Sequence, residues 1–216
     1  GNTIVQTVYI ANIDKIAPEI NLSQNGGNFC IPTVGTAKIN TILTAEDPVT
    51  LASGSCGIKT LEYAWSKSNT EEPNNWENFT SGQKVEITGI STPETWYLWT
   101  RGVDNIGNTE TKVSNAFRIT GNDDPANQIT LTPNTTNWTN KDVTVTASYG
   151  ANLIGAKTLI CSGSSETDYT VNGTESVTVK TNNKIVTATA KDGSGNVVTQ
   201  TKTIDKIDKV APTVAL

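Results

Sequence analysis

The chain repeats itself, and this repeat limits what it can fold into more than any other feature. Residues 1–20 align without a gap to residues 195–214, with ten of twenty positions identical. The match includes Ile13-Asp14-Lys15-Ile16-Ala17-Pro18 and Ile207-Asp208-Lys209-Val210-Ala211-Pro212. A looser third copy begins at Gly107-Asn108 and has Asp124-Pro125 near its end. The steps between Gly1, Gly107 and Gly195 are 106 and 88 residues, each the length of a small domain. Self-similarity at such a period marks an array of similar units, not one merged core. The expected organisation is the last strand and linker of a preceding repeat at 1–17, a first repeat at 18–121, a second at 122–208, and the start of another at 209–216.

Both repeats read as short strands separated by turn residues. In the first, strands are expected at 19–23, 38–45, 59–65, 85–87, 95–103 and 111–119. Leu61, Tyr63 and Trp65 share one face there at period two. In the second, Ile129 and Leu131 open the pattern, and Val143, Val145 and Ala147 alternate with Thr144, Thr146 and Ser148. Strands follow at 158–161, 177–179, 186–190 and 197–204. No segment has an apolar period of 3.6 over helical length. The expected class is therefore all-β, with two tandem antiparallel β-sandwiches. Gly57-Ile58-Lys59-Thr60-Leu61 matches Gly155-Ala156-Lys157-Thr158-Leu159, and Gly102-Val103-Asp104 matches Ala190-Lys191-Asp192, at offsets of 98 and 88. The difference places an insertion in the first repeat, around 73–79.

Composition removes several function classes. The net charge is −5 and Lys or Arg never cluster, so a phosphate backbone has nothing to bind. No apolar run nears the roughly 18 residues that span a bilayer. The chain has no histidine, which excludes Ser-His-Asp and Cys-His catalysis and imidazole metal sites. An enzyme is not expected.

The strand Leu61-Glu62-Tyr63-Ala64-Trp65-Ser66, the strand Trp96-Tyr97-Leu98-Trp99, the turns Asp104-Asn105-Ile106-Gly107-Asn108 and Asp192-Gly193-Ser194-Gly195-Asn196, and the Asp-Lys-x-Ala-Pro junctions resemble tandem bacterial immunoglobulin-like domains. The resemblance implies immunoglobulin-like or fibronectin III-like sandwiches, a surface or secreted protein, particularly of Gram-positive organisms, and an extracellular, cell-surface or cell-wall location. It implies a structural or adhesive role, with neighbouring repeats of the same chain as partners.

Three sets of residues invite a site. The Asp-x-x-Gly-Asn turns read either as hairpin turns, with Gly supplying positive φ, or as calcium ligands. Under the second reading Asp104, Asp192 and Asp208 are the candidates, since hard cations need several oxygens. No other cofactor is expected. Cys30 and Cys56, in loops of the first repeat, are the disulfide candidates, as an extracellular compartment permits. Cys161 aligns with Tyr63 and reads as a buried free thiol. The aromatics gather in the first repeat, and the second has only Trp138. Alternation puts Trp96, Leu98, Thr100 and Gly102 inward and Tyr97, Trp99, Arg101 and Val103 outward. Tyr97, Trp99 and Trp76 are thus candidate ligand-facing aromatics for a glycan or host surface protein. The other reading is that the insertion, with Trp76 and Phe79, covers this stripe.

Overall fold

Alternating apolar and hydroxyl side chains produce strands along most of the chain. The computed structural model describes residues 1, 3–7, 13–48, 55–162 and 169–214, with the side chains of 169–172 left aside. Its strands, in order, are β1 Glu19–Leu22, β2 Gly27–Cys30, β3 Ala37–Glu46, β4 Ile58–Ser66, β5 Glu77–Asn78, β6 Gln83–Ile90, β7 Glu94–Asp104, β8 Thr109–Val113, β9 Phe117–Thr120, β10 Ile129–Pro133, β11 Val143–Tyr149, β12 Lys157–Cys161, β13 Tyr169–Asn172, β14 Ser176–Val179, β15 Lys184–Lys191 and β16 Val197–Ile204. Among the described residues one 3-10 turn, Pro125–Asn127, interrupts them.

Four sheets form. One has the order β1-β3-β6; a second has β2-β9-β7-β4-β5, with β8 also on β7. The third is β10-β11-β14-β13 and the fourth β12-β15-β16. The registered strand pairs are antiparallel, as in Glu19 opposite Glu46 and Ile129 opposite Tyr149. The expected class, all-β with antiparallel sheets, is what the described residues form.

The chain divides into two compact units. The first comprises Gly1–Gly27, Asn40–Ile87 and Thr95–Phe117; the second comprises Asn28–Ile39, Thr88–Glu94 and Arg118–Leu216. The repeat boundaries read from the sequence, 18–121 and 122–208, do not follow this division, because 28–39 and 88–94 group with the later residues.

The core of the second unit follows the period-two pattern. Val145, Val177, Val179, Val186, Ala188 and Ala190 are fully buried, together with Leu153, Leu159, Cys161 and Cys30. The 3-10 turn before β10 is fixed by Asn127, which is 1% exposed. The Asn127 side-chain amide donates to the carbonyls of Thr120 at 3.1 Å and Gly121 at 2.7 Å, and its oxygen accepts from Asn152 at 2.9 Å. In the first unit Leu43, Leu98 and Phe117 are fully buried. Trp65 meets the Phe117 ring edge-on at 5.2 Å, a favoured aromatic geometry.

Some expectations need correction. Residues 1 and 3–7 carry no strand, and 8–12 lie outside the described residues. The strand expected at 111–119 is two strands, β8 and β9, both paired with β7 and separated by an irregular stretch at Ser114–Ala116. There Asn115 N–H donates to the Asn25 side-chain oxygen at 2.8 Å, and Gly27 N–H to Ala116 C=O at 2.9 Å. β2 and β5 had no alternation to reveal them; β5 exists because Glu77 and Asn78 pair with Tyr63 and Glu62. Leu98→Ala should lower the unfolding free energy by about 2–5 kcal/mol in urea titration, as a buried leucine truncation does. Val113→Ala, on an exposed side chain, should change it by less than about 0.5 kcal/mol.

Candidate functional site

The Asp-x-x-Gly-Asn sequences fold into the same turn twice. At the end of β7, Asp104 is fully buried. Its Oδ1 accepts the N–H groups of Ile106 at 3.0 Å, Gly107 at 2.6 Å and Asn108 at 2.8 Å, and its Oδ2 accepts the Asn108 side-chain amide at 2.6 Å. After β15, Asp192 is 3% exposed. Its Oδ1 accepts the N–H groups of Ser194 and Asn196, each at 2.9 Å, and its Oδ2 accepts the Asn196 side-chain amide at 2.8 Å. Gly107 and Gly195 have φ of +100° and +82°, a left-handed backbone that glycine adopts without Cβ strain. A buried carboxylate is costly unless its oxygens are satisfied. Here the turn's own N–H groups satisfy them.

Each turn also holds a segment remote in sequence. In the first unit the Asn108 amide donates to Asp14 C=O at 3.3 Å, and the Asn105 amide to Cys56 C=O at 2.9 Å. Asp14 Oδ2 accepts Cys56 N–H at 3.2 Å, and Asp47 Oδ2 accepts Gly57 N–H at 2.7 Å. In the second unit Asp192 Oδ2 accepts Cys30 N–H at 2.9 Å and its thiol at 3.4 Å. Asn196 then pairs with the Lys38 backbone in both directions, accepting its N–H at 2.8 Å and donating to its C=O at 2.9 Å. Beside it Thr33 N–H donates to Val197 C=O at 3.0 Å.

The ionisable groups respond to these contacts. Two backbone N–H donors, Ile16 and then Cys56, hold the Asp14 carboxyl below its ordinary 3.8. Burial pushes Asp104 up, but hydrogen bonds led by the Cys56 thiol and the Asn108 N–H outweigh it, and the group also lies below 3.8. Burial, then the neighbouring Asp192 charge, pushes the Cys30 thiol up to about 12. Burial, then the Asp104 and Asp14 carboxylates, pushes Cys56 up to about 11.

The sequence candidates separate. Asp104 lies in the first unit, and Asp192 and Asp208 lie in the second. Asp208 is exposed and caps its own turn through Val210 N–H at 2.9 Å. Asp124 caps the 3-10 turn through Ala126 N–H. Among the described residues the group with metal-ligand spacing is instead Asp14, Cys56 and Asp104, with ligand atoms within 4.8 Å of one another. A thiolate with two carboxylates suits zinc-like cations better than calcium, which prefers oxygen alone.

The disulfide expectation is corrected. Cys30 and Cys56 are both free thiols, as is Cys161. Cys30 ends β2 in the second unit with its sulfur on Asp192, and Cys56 lies in the first unit, 3.7 Å from Asp47 Oδ2.

The aromatic stripe lies beneath the insertion. On β4 and β7, Ala64 stands opposite Trp99 and Glu62 opposite Arg101. Trp99 is 9% exposed, and its indole N–H donates to Ser68 C=O at 2.9 Å. Arg101 pairs with Glu62 at 2.8 Å and Glu72 at 3.3 Å, and its guanidinium lies 4.4 Å from the Trp76 ring centre. Tyr97 and Trp76 are half-buried. Trp138, in the second unit, is 67% exposed.

Sequence reasoning missed Asp14 and Lys38 as partners of the turns, and Asp47 as the partner of Cys56 and Gly57. For Asp14 a signal existed: it recurs as Asp208 at the same place in the repeat. Asp47 and the Lys38 backbone carry no sequence mark.

No family model and no curated protein sequence matches this chain. Among solved structures it is similar to the fibronectin(III)-like modules of CbhA from Clostridium thermocellum, at 14% identity over 92% of this chain and 100% of that one, with a TM-score of 0.43. It is also similar to the D00-D0 domain of intimin, at 12% identity over 87% and 98%, TM-score 0.31. A third is the C-terminal 282-residue fragment of intimin in complex with the intimin-binding domain of the translocated intimin receptor, at 16% identity over 87% and 63%, TM-score 0.36. At TM-scores this low the likenesses carry no weight for function.

Two outcomes check the site. Unreduced, denatured protein should titrate three thiols with a chromogenic disulfide reagent; one thiol would mean that Cys30 and Cys56 are bonded. The lowered carboxyls of Asp14 and Asp104 contribute their stability in full above the unfolded value of 3.8. They lose it as pH falls through their lower folded values. Thermal melts should therefore show Tm falling below about pH 4, and Asp104→Asn should flatten that fall.

Proposed function

We propose that this chain is a non-catalytic structural region of a bacterial surface or secreted protein. Its β-sandwich repeats, 18–121 and 122–208, act as spacers that hold other modules at a distance. The observation that carries this reading is the pair of buried carboxylate turns. Each ties the end of a long strand to residues far away in sequence: Asp14 and Cys56 in one case, Cys30 and Lys38 in the other. Such bonds resist separation of segments under load. The partners in this role are neighbouring repeats, and the location is extracellular.

An adhesive role, with a glycan or host protein as ligand, is the second reading. The most exposed tryptophan favours it: Trp138 lines an open dent with Thr139, Asn140 and Asp208. Exposed indole faces stack on sugar rings and polar neighbours hold hydroxyls. The burial of Trp99 moves this reading away from the aromatics of the first repeat.

Single-molecule pulling between the two chain ends tests the spacer role. The native chain should give discrete unfolding events, and Asp192→Ala should lower the force of one of them markedly. Removing a buried acceptor strands several donors at about 1–3 kcal/mol each. An unchanged force would contradict the role assigned to the turn.

A further inference from the structure

The segment 207–214 repeats 13–20 in sequence and in its aspartate cap. Ile207 is 5% exposed and Asp208 N–H donates to Thr139 C=O at 2.9 Å, but of the proline and the apolar residue that follow, only the earlier copies are buried. Asp14 Oδ1 accepts Ile16 N–H at 3.1 Å, its Oδ2 accepts Cys56 N–H and its C=O accepts the Asn108 amide. Pro18, four residues on, is buried against Gly102, where an added Cβ would stand 3.1 Å from the Pro18 Cβ. Ile20 is 7% exposed. Turn, proline and isoleucine together fill a seat made by Gly102, the Asp104–Asn108 turn and Cys56.

Asp208 forms the same cap, its Oδ1 accepting Val210 N–H at 2.9 Å. Among the described residues nothing donates to its Oδ2 or its C=O. Pro212 is exposed, Val210 is 83% exposed and Val214 is 86% exposed. Isolated apolar residues on a surface need no explanation. Here Pro212 and Val214 are exposed together behind a formed cap, whereas Pro18 and Ile20, their counterparts 194 positions earlier, are buried.

We propose that 208–214 is a docking segment. Its partner is a β-unit carrying the sequence Gly-x-Asp-x-x-Gly-Asn, with residues 21–121 as the example that fits. Asp208 C=O takes the asparagine amide, its free Oδ2 takes the N–H at the Cys56 position, and Pro212 packs on the glycine. The glycine makes the seat selective. The turn at Asp192 has Ala190 where the other has Gly102, and a methyl group there meets the incoming proline. This inference rests on the repeat-array reading and names the residues that join its units.

The test extends the full chain beyond Val214 with a second copy of residues 21–121, and follows amide hydrogen exchange at Cys56 in each copy. The added copy's Cys56 amide should be as protected as the first. Asp208→Ala should speed its exchange about tenfold, as loss of a buried charge-assisted acceptor does, without touching the first copy. Asp14→Ala should do the reverse. Gly102→Ala in the added copy should reproduce the effect of Asp208→Ala. The proposal is overturned if Asp208→Ala leaves the added copy unchanged while Asp14→Ala loosens the first, or if the added copy does not fold behind Val214. Either result leaves the spacer role standing, because that depends on the force response of the chain without additions.

Discussion

A carboxylate removed from water has to find donors, and this requirement shapes both turns. Asp104 and Asp192 are buried carboxylates in a chain whose interior is otherwise mostly Ile, Val, Ala, Leu and Phe. Each is satisfied by N–H groups that a type of turn with one left-handed glycine presents in sequence. Charge-assisted bonds of this kind are shorter and stronger than neutral ones. Because the asparagine that ends the turn is held by the same carboxylate, its amide is aimed outward at a fixed place. It can then bind a second backbone: Asp14 for Asn108, Lys38 for Asn196. One side chain thus sets a local turn and a long-range contact together.

The two turns have the same inner geometry but different clients. In the second unit the carboxylate itself takes the Cys30 N–H and thiol. In the first, the corresponding carboxylate lies beside Asp14 and Cys56, and Asp14 takes the Cys56 N–H instead. Thiols so placed are poor nucleophiles, since thiolate formation beside a carboxylate is disfavoured. Their raised pKa values fit a packing role. The insertion of the first repeat is a separate device. Together with the stretch just before it, it brings Ser68, Glu72 and Trp76 onto the outer face of β4 and β7, against Trp99 and Arg101. Trp99 thereby becomes part of a second layer of packing.

The strand pattern was legible wherever one face is buried and the other wet. Val143, Val145 and Ala147, or Val186, Ala188 and Ala190, alternate because each second residue meets the core. On β4, expected at 59–65 and found at Ile58–Ser66, the strand was legible but its burial does not alternate: Leu61 and Ala64 are both buried although they point to opposite faces. Both faces of that strand are covered, one by core and one by the insertion, and period two disappears when there is no wet side. β2 and β5 were illegible for another reason: they are short, and pairing with a neighbour defines them more than their own residues do. The turns were visible as Asp-x-x-Gly-Asn, and their chemistry as turns was readable from glycine and asparagine. What they grip was not, because Lys38 participates through its backbone and Asp47 through a loop that no periodicity marks. Loop positions in one repeat and an extracellular compartment suggested a bond between Cys30 and Cys56, whereas each thiol faces a carboxylate instead, Asp192 for Cys30 and Asp47 for Cys56.

The account stands on the turn carboxylates holding remote backbone in place. Native-state hydrogen exchange at the Cys30 and Lys38 amides measures this directly, since both donate into the Asp192–Asn196 turn. They should exchange only when the surrounding core opens, with the same free energy as the central amides of β15. Exchange at the rate of an open loop, while β15 stays protected, would show that the turns close on themselves and hold nothing else.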